Sequence, residues 1–245
     1  MALNRHLSHP TRGHTWAVTR TSLEENGFLV VRGAASLSLQ ETAAAELAGA
    51  ICERRGGTRN AFHFQSVRKL AASVSQIAEA VLGNGAFVVR AIFFDKTPGA
   101  NWKVPWHQDI TIEVAERREV EGFGPWSLME SIVSVRPPES ILQGMASIRV
   151  HLDDCDSDNG PLRVIAGSHH KVLAPQELEE VVRTGNPVDL TCARGDVILM
   201  RPLLVHASSA AVSPSHRRVV HLDFASNSLP ADLQWRLQTI RCAAS

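Results

Sequence analysis

The stretch Trp106-His-Gln-Asp-Ile-Thr-Ile-Glu-Val114 alternates between polar and apolar side chains. Side chains two positions apart lie on the same face of a β-strand, so this pattern predicts one strand with two unlike faces. The polar face carries His107, Asp109, Thr111 and Glu113, and the apolar face carries Trp106, Ile110, Ile112 and Val114. An imidazole and a carboxylate therefore point the same way from one strand, as a metal site would require.

Three other predicted strands have the same two-faced pattern. Their polar positions are Ser147, Arg149 and His151 in Ser147–Leu152, His206 and Ser208 in Leu204–Ser208, and Arg217, His221 and Asp223 in Arg217–Phe224. In a simple sandwich such a face would lie in water. Polar faces rich in His, Asp and Arg, rather than in Lys, Glu and Thr, favour a polar pocket inside a curled sheet.

Short strands separated by turn signals dominate the chain after about residue 86. The predicted strands are Ala86–Phe94, Trp106–Val114, Ser147–Leu152, Pro161–Ile165, Asp196–Met200, Leu203–Ser208 and Arg217–Ala225. Helices are predicted up to Asn26, from about residue 38 to Arg54, over Val67–Val81, around Pro175–Arg183 and at about 230–240, and a short strand at Phe28–Val31. The fold class is therefore mainly β with flanking α-helices, as in a sandwich or barrel. We expect one domain over residues 1–245, with a helical part at about 1–85 and a β core at about 86–226.

Composition excludes several classes of protein. The 245 residues contain 25 Lys and Arg against 25 Asp and Glu, so no net positive charge favours binding to nucleic acid. No apolar run reaches the length of about 18 residues that spans a membrane. Four scattered cysteines without a Cys-x-x-Cys pair, and an N-terminus without a secretory signal, predict a cytoplasmic protein. The sequence makes no prediction of oligomeric state.

The pattern His-x-Asp occurs three times, at His107–Asp109, His151–Asp153 and His221–Asp223. Such a pair together with a distant His forms the facial triad of non-haem Fe(II) enzymes, which leaves coordination positions open. The first pair follows a loop at the start of a predicted strand, where a ligand could enter. The second pair runs into an acidic turn and the third has no later His after it. We therefore expect the second and third pairs to be structural or to line the pocket.

His206 is the candidate for the distant His, and Arg217 follows it on the next predicted strand. A dicarboxylate such as 2-oxoglutarate chelates iron at one end and needs a cation for its other carboxylate. The planar guanidinium of Arg suits this role because it binds a carboxylate through two hydrogen bonds. Ser208 could add a hydroxyl. Arg217 is preferred to Arg218 because alternation places Arg217 on the polar face.

Three motifs resemble the phytanoyl-CoA dioxygenase family of Fe(II)- and 2-oxoglutarate-dependent oxygenases. They are Pro105-Trp-His-Gln-Asp109, Asn159-Gly-Pro-Leu-Arg-Val-Ile-Ala-Gly-Ser-His169, and His206-x-Ser208 with Arg217. The resemblance covers about residues 86–226 and implies a double-stranded β-helix (jelly-roll, cupin-like) core. It implies that the catalytic iron ligands are His107, Asp109 and His206, and that Arg217, Ser208 and Arg149 line the 2-oxoglutarate site. Related halogenases replace the carboxylate with a small residue, so Asp109 disfavours halogenation.

The resemblance implies an enzyme that uses Fe(II), 2-oxoglutarate and O₂ to hydroxylate an unactivated C–H bond of a small-molecule metabolite, releasing succinate and CO₂. Desaturation and ring formation stay open, as does the question of whether the substrate is linked to CoA. One alternative is a non-redox cupin-like lyase, isomerase or hydrolase that uses Zn²⁺ or Mn²⁺. The other is a non-catalytic β-sandwich binding module.

Residues at the substrate mouth are predicted from the long insertions and the polar faces. Trp106 and Trp126, together with Trp102, Lys103 and Arg136, lie on or beside the insertions, although packing at a rim would explain them equally well. His151 lies on the same polar face as Arg149 in Ser147–Leu152, and His221 lies on the polar face of Arg217–Phe224. These polar faces favour a small polar or amino-acid-like substrate.

Overall fold

The computed structural model describes residues 15–50 and 56–238. Five α-helices lie in these residues: Thr15–Asn26 (α1), Leu37–Ala50 (α2), Gln65–Leu82 (α3), Glu139–Gln143 (α4) and Pro175–Thr184 (α5), together with a 3-10 helix at Ala61–His63. The predicted extension of α2 to Arg54 falls on residues 51–55, outside the described residues. Of the C-terminal helix predicted at about 230–240, residues 236–238 are helical and residues 230–235 are not, and the rest lies outside the described residues.

Thirteen strands occur in the described residues and form three sheets. The strands are Phe28–Val31 (β1), Gly57–Thr58 (β2), Phe87–Lys96 (β3), Val104–His107 (β4), Ile112–Val114 (β5), Trp126–Met129 (β6), Ile132–Val135 (β7), Met145–His151 (β8), Leu162–Ile165 (β9), Pro187–Leu190 (β10), Val197–Met200 (β11), His206–Ser208 (β12) and Arg217–Ala225 (β13). A six-stranded sheet has the order β1-β11-β8-β13-β3-β2, a four-stranded sheet β10-β9-β12-β4, and a three-stranded sheet β5-β7-β6. The pairings are antiparallel.

The six-stranded and four-stranded sheets are the two walls of a double-stranded β-helix, and both contribute side chains to the cavity between them. The predicted mainly β, cupin-like fold is therefore confirmed. Strands β1 and β2, from the N-terminal part of the chain, form the two edges of the six-stranded sheet. The N-terminal part thus contributes strands to the six-stranded sheet in addition to helices α1, α2 and α3.

Helix α3 covers the outer face of the six-stranded sheet. Apolar residues recur in it at intervals of three and four, so one side of the helix is continuously apolar. Leu70 and Val74 on that side belong to the same buried cluster as Ile148 and Val150 of β8 and Leu222 of β13. The apolar faces predicted for β8 and β13 therefore pack against helices, which leaves their polar faces directed into the space between the sheets.

The expectation of one continuous strand over Trp106–Val114 is wrong. Strand β4 ends at His107, and β5 begins at Ile112 in a different sheet. Between them the amide of Asp109 donates a hydrogen bond to the carbonyl of Pro202, 2.9 Å away. Neither residue belongs to a strand, so strand pairing is interrupted at this point. As a consequence Glu113 is buried away from the cavity and accepts a hydrogen bond from Arg236.

The segment 115–144 contains a hairpin that the sequence analysis did not predict. Strands β6 and β7 pair over Trp126–Met129 and Ile132–Val135, and helix α4 follows them. Strand β10 was also missed. No helix within residues 15–50 and 56–238 is long and apolar enough to cross a membrane.

Candidate active site

His107, Asp109 and His206 form a cluster between the two walls of the β-helix. His107 and His206 are partners in the β4–β12 ladder, and their ring centroids lie 4.2 Å apart. One carboxylate oxygen of Asp109 lies 3.7 Å from Nε2 of His107, and the other lies 3.7 Å from Nε2 of His206. One potential ligand atom from each residue lies within 4.8 Å of the other two, so the three side chains could hold one metal ion.

Hydrogen bonds to the backbone orient both imidazoles. Nδ1 of His107 lies 2.8 Å from the carbonyl of Pro105, and Nδ1 of His206 lies 2.8 Å from the carbonyl of Leu204. A carbonyl only accepts hydrogen bonds, so each Nδ1 carries a proton and each Nε2 is free to bind a metal. Burial lowers the pKa of His206 to about 4, which keeps its ring neutral at pH 7.

Gln108 holds the segment between the two ligands in place. Its Nε2 donates to the carbonyls of Lys171 at 2.9 Å and Leu203 at 2.6 Å, and its Oε1 accepts from the amide of Leu173 at 2.8 Å. These three hydrogen bonds of one buried side-chain amide fix the backbone segment that carries His107 and Asp109.

Asp109 is the negative group of the cluster. Burial raises its pKa, but the electrostatic effect of the neighbouring His206 and of the Arg90 guanidinium outweighs burial, and the net effect is a lowered pKa. The carboxylate is therefore ionised at neutral pH. An ionised carboxylate and two neutral imidazoles are the ligand set of a two-His-one-carboxylate iron site.

A cavity of about 270 Å³ opens in front of this cluster. Its wall is made by residues of both sheets and of the loops that follow β2, β3 and β4: Arg59, Arg90, Ile92, Phe94, Trp102, Val104, His107, Asp109, Arg149, Leu162, His206, Ala207, Ser208, Arg217 and His221. The cavity thus brings together the three candidate metal ligands and the three residues predicted to bind 2-oxoglutarate, Arg217, Ser208 and Arg149.

Arg217 lies in this wall with a guanidinium that is only partly satisfied. The residue is 3% exposed, and its Nε and Nη1 have no hydrogen-bond partner in the part of the chain that the structure describes. Arg218 faces the other way, where its Nε and Nη2 donate to the two carboxylate oxygens of Asp153 at 2.9 and 2.6 Å. Arg217 is therefore the available anion-binding group of the two.

Lys96 lies behind Ser208 and was missed by the sequence analysis. Its Nζ donates to Oγ of Ser208 at 3.1 Å and to the carbonyl of Ser209, and it lies 5.8 Å from the ring of Trp102. Burial and the nearby Arg217 lower the pKa of Lys96 to about 7. Spacing by two along β3 would have placed Lys96 on the inward face, but the nearly continuous apolar run of β3 hides that face.

A buried polar network continues the wall beyond the candidate metal ligands. The carboxylate of Asp223 accepts hydrogen bonds from Oγ of Ser147 at 2.6 Å, from Nε2 of His221 at 2.9 Å and from Nε of Arg90. His221 Nδ1 in turn lies 3.2 Å from Nη1 of Arg149. The pair His221–Asp223 thus lines and supports the cavity, as the sequence analysis expected, whereas the role of Arg90 was missed.

The three residues predicted to contact substrate do not line this cavity. Trp106 packs under Arg163, with 5.5 Å between the guanidinium carbon and the ring, and Trp126 of β6 packs near Arg117 at 5.8 Å. His151 is buried at the end of β8. Of the described residues that line the cavity, none is one of these three, whereas Trp102 is among them. Contact with substrate stays a prediction for Trp106, Trp126 and His151.

Several solved structures resemble this fold. EvdMO1 is 19% identical with a TM-score of 0.63, over 88% of this chain and 50% of that one. EctD from S. alaskensis, solved with 2-oxoglutarate and 5-hydroxyectoine, is 20% identical with a TM-score of 0.65, over 92% of this chain and 79% of that one. The epimerase SnoN, solved with Fe³⁺, alpha ketoglutarate and nogalamycin RO, is 14% identical with a TM-score of 0.64, over 89% and 91%. At these identities the likeness concerns the fold.

The chain spans half the length of the EvdMO1 chain. No curated protein matches it in sequence. A family model described as phytanoyl-CoA dioxygenase matches residues 39–219, which is well over half of the chain and contains the whole cavity wall apart from His221. The chain belongs to the phytanoyl-CoA dioxygenase family.

Proposed function

We propose that this protein is an Fe(II)- and 2-oxoglutarate-dependent dioxygenase that hydroxylates a C–H bond of a small molecule and releases succinate and CO₂. The main support for the proposal is that a candidate metal site and a candidate carboxylate-binding group lie in one cavity. A cluster of two His and one Asp that could hold a metal ion faces the same space as the partly unsatisfied guanidinium of Arg217.

His107, Asp109 and His206 would hold the iron. When bound, iron together with 2-oxoglutarate and O₂ supplies the oxidation of the substrate. The chain contributes two imidazoles, each oriented by a hydrogen bond between its Nδ1 and a backbone carbonyl, and one carboxylate whose pKa is lowered by its neighbours. Three protein ligands leave the remaining coordination positions for the cosubstrate and O₂.

Arg217 and Ser208 would hold the far carboxylate of 2-oxoglutarate. The Nε and Nη1 of this buried guanidinium have no hydrogen-bond partner in the described residues, and a guanidinium in that state suits a carboxylate, which accepts charge-assisted hydrogen bonds. Ser208 accepts a hydrogen bond from Lys96, so its own hydroxyl proton remains available for the carboxylate. Lys96 adds positive charge directly behind this position.

The guanidinium of Arg217 also bears on the non-redox alternative. A Lewis-acid lyase or hydrolase would use the metal ligands but has no need for a buried anchor for a second carboxylate. Burying a partly unsatisfied guanidinium is costly, and this cost supports a bound anion in the working state.

The test is release of succinate and CO₂ by the purified protein. We expect release to require both Fe(II) and 2-oxoglutarate and to be lost in Asp109→Ala. Asp189→Ala is the matched control, because it removes a carboxylate from the exposed pair with Arg163 outside the cavity. Turnover that proceeds without 2-oxoglutarate would support the non-redox metal enzyme, and a protein that binds neither metal nor 2-oxoglutarate would support the binding module.

A further inference from the structure

The cavity wall carries more positive charge than 2-oxoglutarate requires. Four guanidinium groups line it, from Arg59, Arg90, Arg149 and Arg217, against the single carboxylate of Asp109 among the described lining residues. Arg90 is matched by Asp223 behind it, and Arg217 would be matched by the cosubstrate. Arg59 and Arg149 have no salt-bridge partner within the described ranges. An iron(II) ion and 2-oxoglutarate carry equal and opposite charges, so loading both would leave the excess positive charge of the wall unchanged.

Arg149 is the best placed of the unmatched cations, because its neighbours fix its direction. Its Nη1 donates to Nδ1 of His221 at 3.2 Å, and its guanidinium stacks on Phe94 with 5.6 Å to the ring centroid. The ring of His221 meets Phe94 edge to face at 6.2 Å, and its Nε2 is bonded to Asp223. His221 is therefore held in the tautomer that accepts from Arg149, and it acts as a positioning residue.

The guanidinium of Arg149 is also incompletely satisfied. The residue is 8% exposed, and its Nε has no hydrogen-bond partner among the residues described. Burial and the like charge of Arg217 lower the pKa of Arg149 to about 10, so it stays charged at neutral pH. A buried cation of this kind is stabilised when an anion binds to it. Arg149 thus offers a second anion-binding position in the cavity, on a different strand from Arg217.

We propose that Arg149 binds the carboxylate of the primary substrate, which is therefore a small organic acid. This inference rests on the proposed function, which assigns Arg217 and Ser208 to the cosubstrate. It departs from the family resemblance, which places Arg149 in the 2-oxoglutarate site, and assigns Arg149 to the substrate instead. The size of the cavity favours a small acid. A volume of about 270 Å³ shared with 2-oxoglutarate lies below the usual range of about 300–1,000 Å³ for a ligand site. A CoA thioester would have to leave most of its length outside.

The experiment uses three probes of similar size: 2-methylpropanoate, its neutral amide, and methyl phosphate. Each is titrated calorimetrically into the full chain loaded with Mn(II) and 2-oxoglutarate. We expect the carboxylate to bind about tenfold or more tightly than the amide, which is the effect of one charge-assisted contact. We expect Arg149→Gln to abolish this preference and to leave the affinity for 2-oxoglutarate within about threefold.

Arg149→Gln is chosen because it removes the charge and leaves a hydrogen-bonding amide at about the position of Nε. We expect its melting temperature in the absence of ligand to be unchanged or raised, since an unpaired buried cation is lost. A marked fall in melting temperature would assign Arg149 a structural role instead.

Three further outcomes would overturn the inference. Equal binding of the carboxylate and the amide would show that charge is not recognised. Tighter binding of methyl phosphate would point to phosphorylated substrates. A loss of 2-oxoglutarate affinity in Arg149→Gln as large as that in Arg217→Gln would place Arg149 in the cosubstrate site. If the wild-type protein bound no 2-oxoglutarate at all, the proposed function would fail, and the same probes on the metal-free protein would still decide whether Arg149 recognises an acid.

Discussion

Replacing Arg217 with Gln tests the assignment of the cosubstrate anchor. The buried guanidinium has two N–H groups directed to no protein acceptor within the described residues. A hydrogen bond to a charged group contributes about 1.5–3 kcal/mol, so two such bonds to a carboxylate predict a loss of about 3 kcal/mol or more in Arg217→Gln. This corresponds to a decrease in 2-oxoglutarate affinity of about two orders of magnitude. Calorimetric titration of 2-oxoglutarate into the Mn(II)-loaded protein measures it directly.

Arg218→Gln is the matched control, because it removes the same charge one position away. The guanidinium of Arg218 is bound by Asp153 on a partly exposed surface, where such a pair contributes about 1 kcal/mol or less to stability. We expect Arg218→Gln to keep the wild-type affinity for 2-oxoglutarate. Arg217 is not the cosubstrate anchor if Arg217→Gln binds 2-oxoglutarate as well as the wild type does, or if both variants lose affinity equally.

Three further variants test the surroundings of the site. Gln108→Ala should weaken Mn(II) binding about 10- to 100-fold in a metal titration, because the three backbone contacts that hold two ligands are lost; an unchanged affinity would contradict this. Asp223→Asn should lower the free energy of unfolding by about 3 kcal/mol or more in a denaturant titration, because Arg90 would lose its counter-charge in a buried position; a loss below about 1 kcal/mol would argue against that pairing. The pKa of Lys96 is lowered to about 7, so the folded protein releases this proton near pH 7, whereas the unfolded chain keeps it up to about pH 10.4. The wild type should therefore gain stability relative to Lys96→Met between pH 7 and pH 10 in denaturant titrations, and a constant difference would refute the shift.

The alternation of side chains was sufficient to predict the polar faces of the two central strands. In β8 and β13 every second residue is apolar and packs toward α3, so the faces that carry Arg149 and His221 could be read directly from the sequence. The same reasoning failed at Trp106–Val114 because alternation is local. It does not reveal that the amide of Asp109 bonds to Pro202 and that the chain leaves one sheet for another.

The cavity residues that were not predicted lie in a strand whose apolar sequence shows no polar face. Arg90 and Lys96 belong to β3, whose apolar run is covered on both faces, so period-two reading shows no polar face there. Their importance depends on partners more than 100 positions away, Asp223 for Arg90 and Ser208 for Lys96. Contacts over such separations are set by the register of the sheets, which a single sequence does not specify.

Under the proposed function, His107, Asp109 and His206 bind one ferrous ion that in turn accepts 2-oxoglutarate. Anaerobic titration of Fe(II) into the metal-free protein, followed by absorption spectroscopy on addition of 2-oxoglutarate, tests it most directly. We predict one Fe(II) bound per chain, a visible charge-transfer band that appears only with 2-oxoglutarate, and loss of both in His206→Ala. Iron binding that survives unchanged in His206→Ala, or a wild-type protein that binds no iron, would contradict the account.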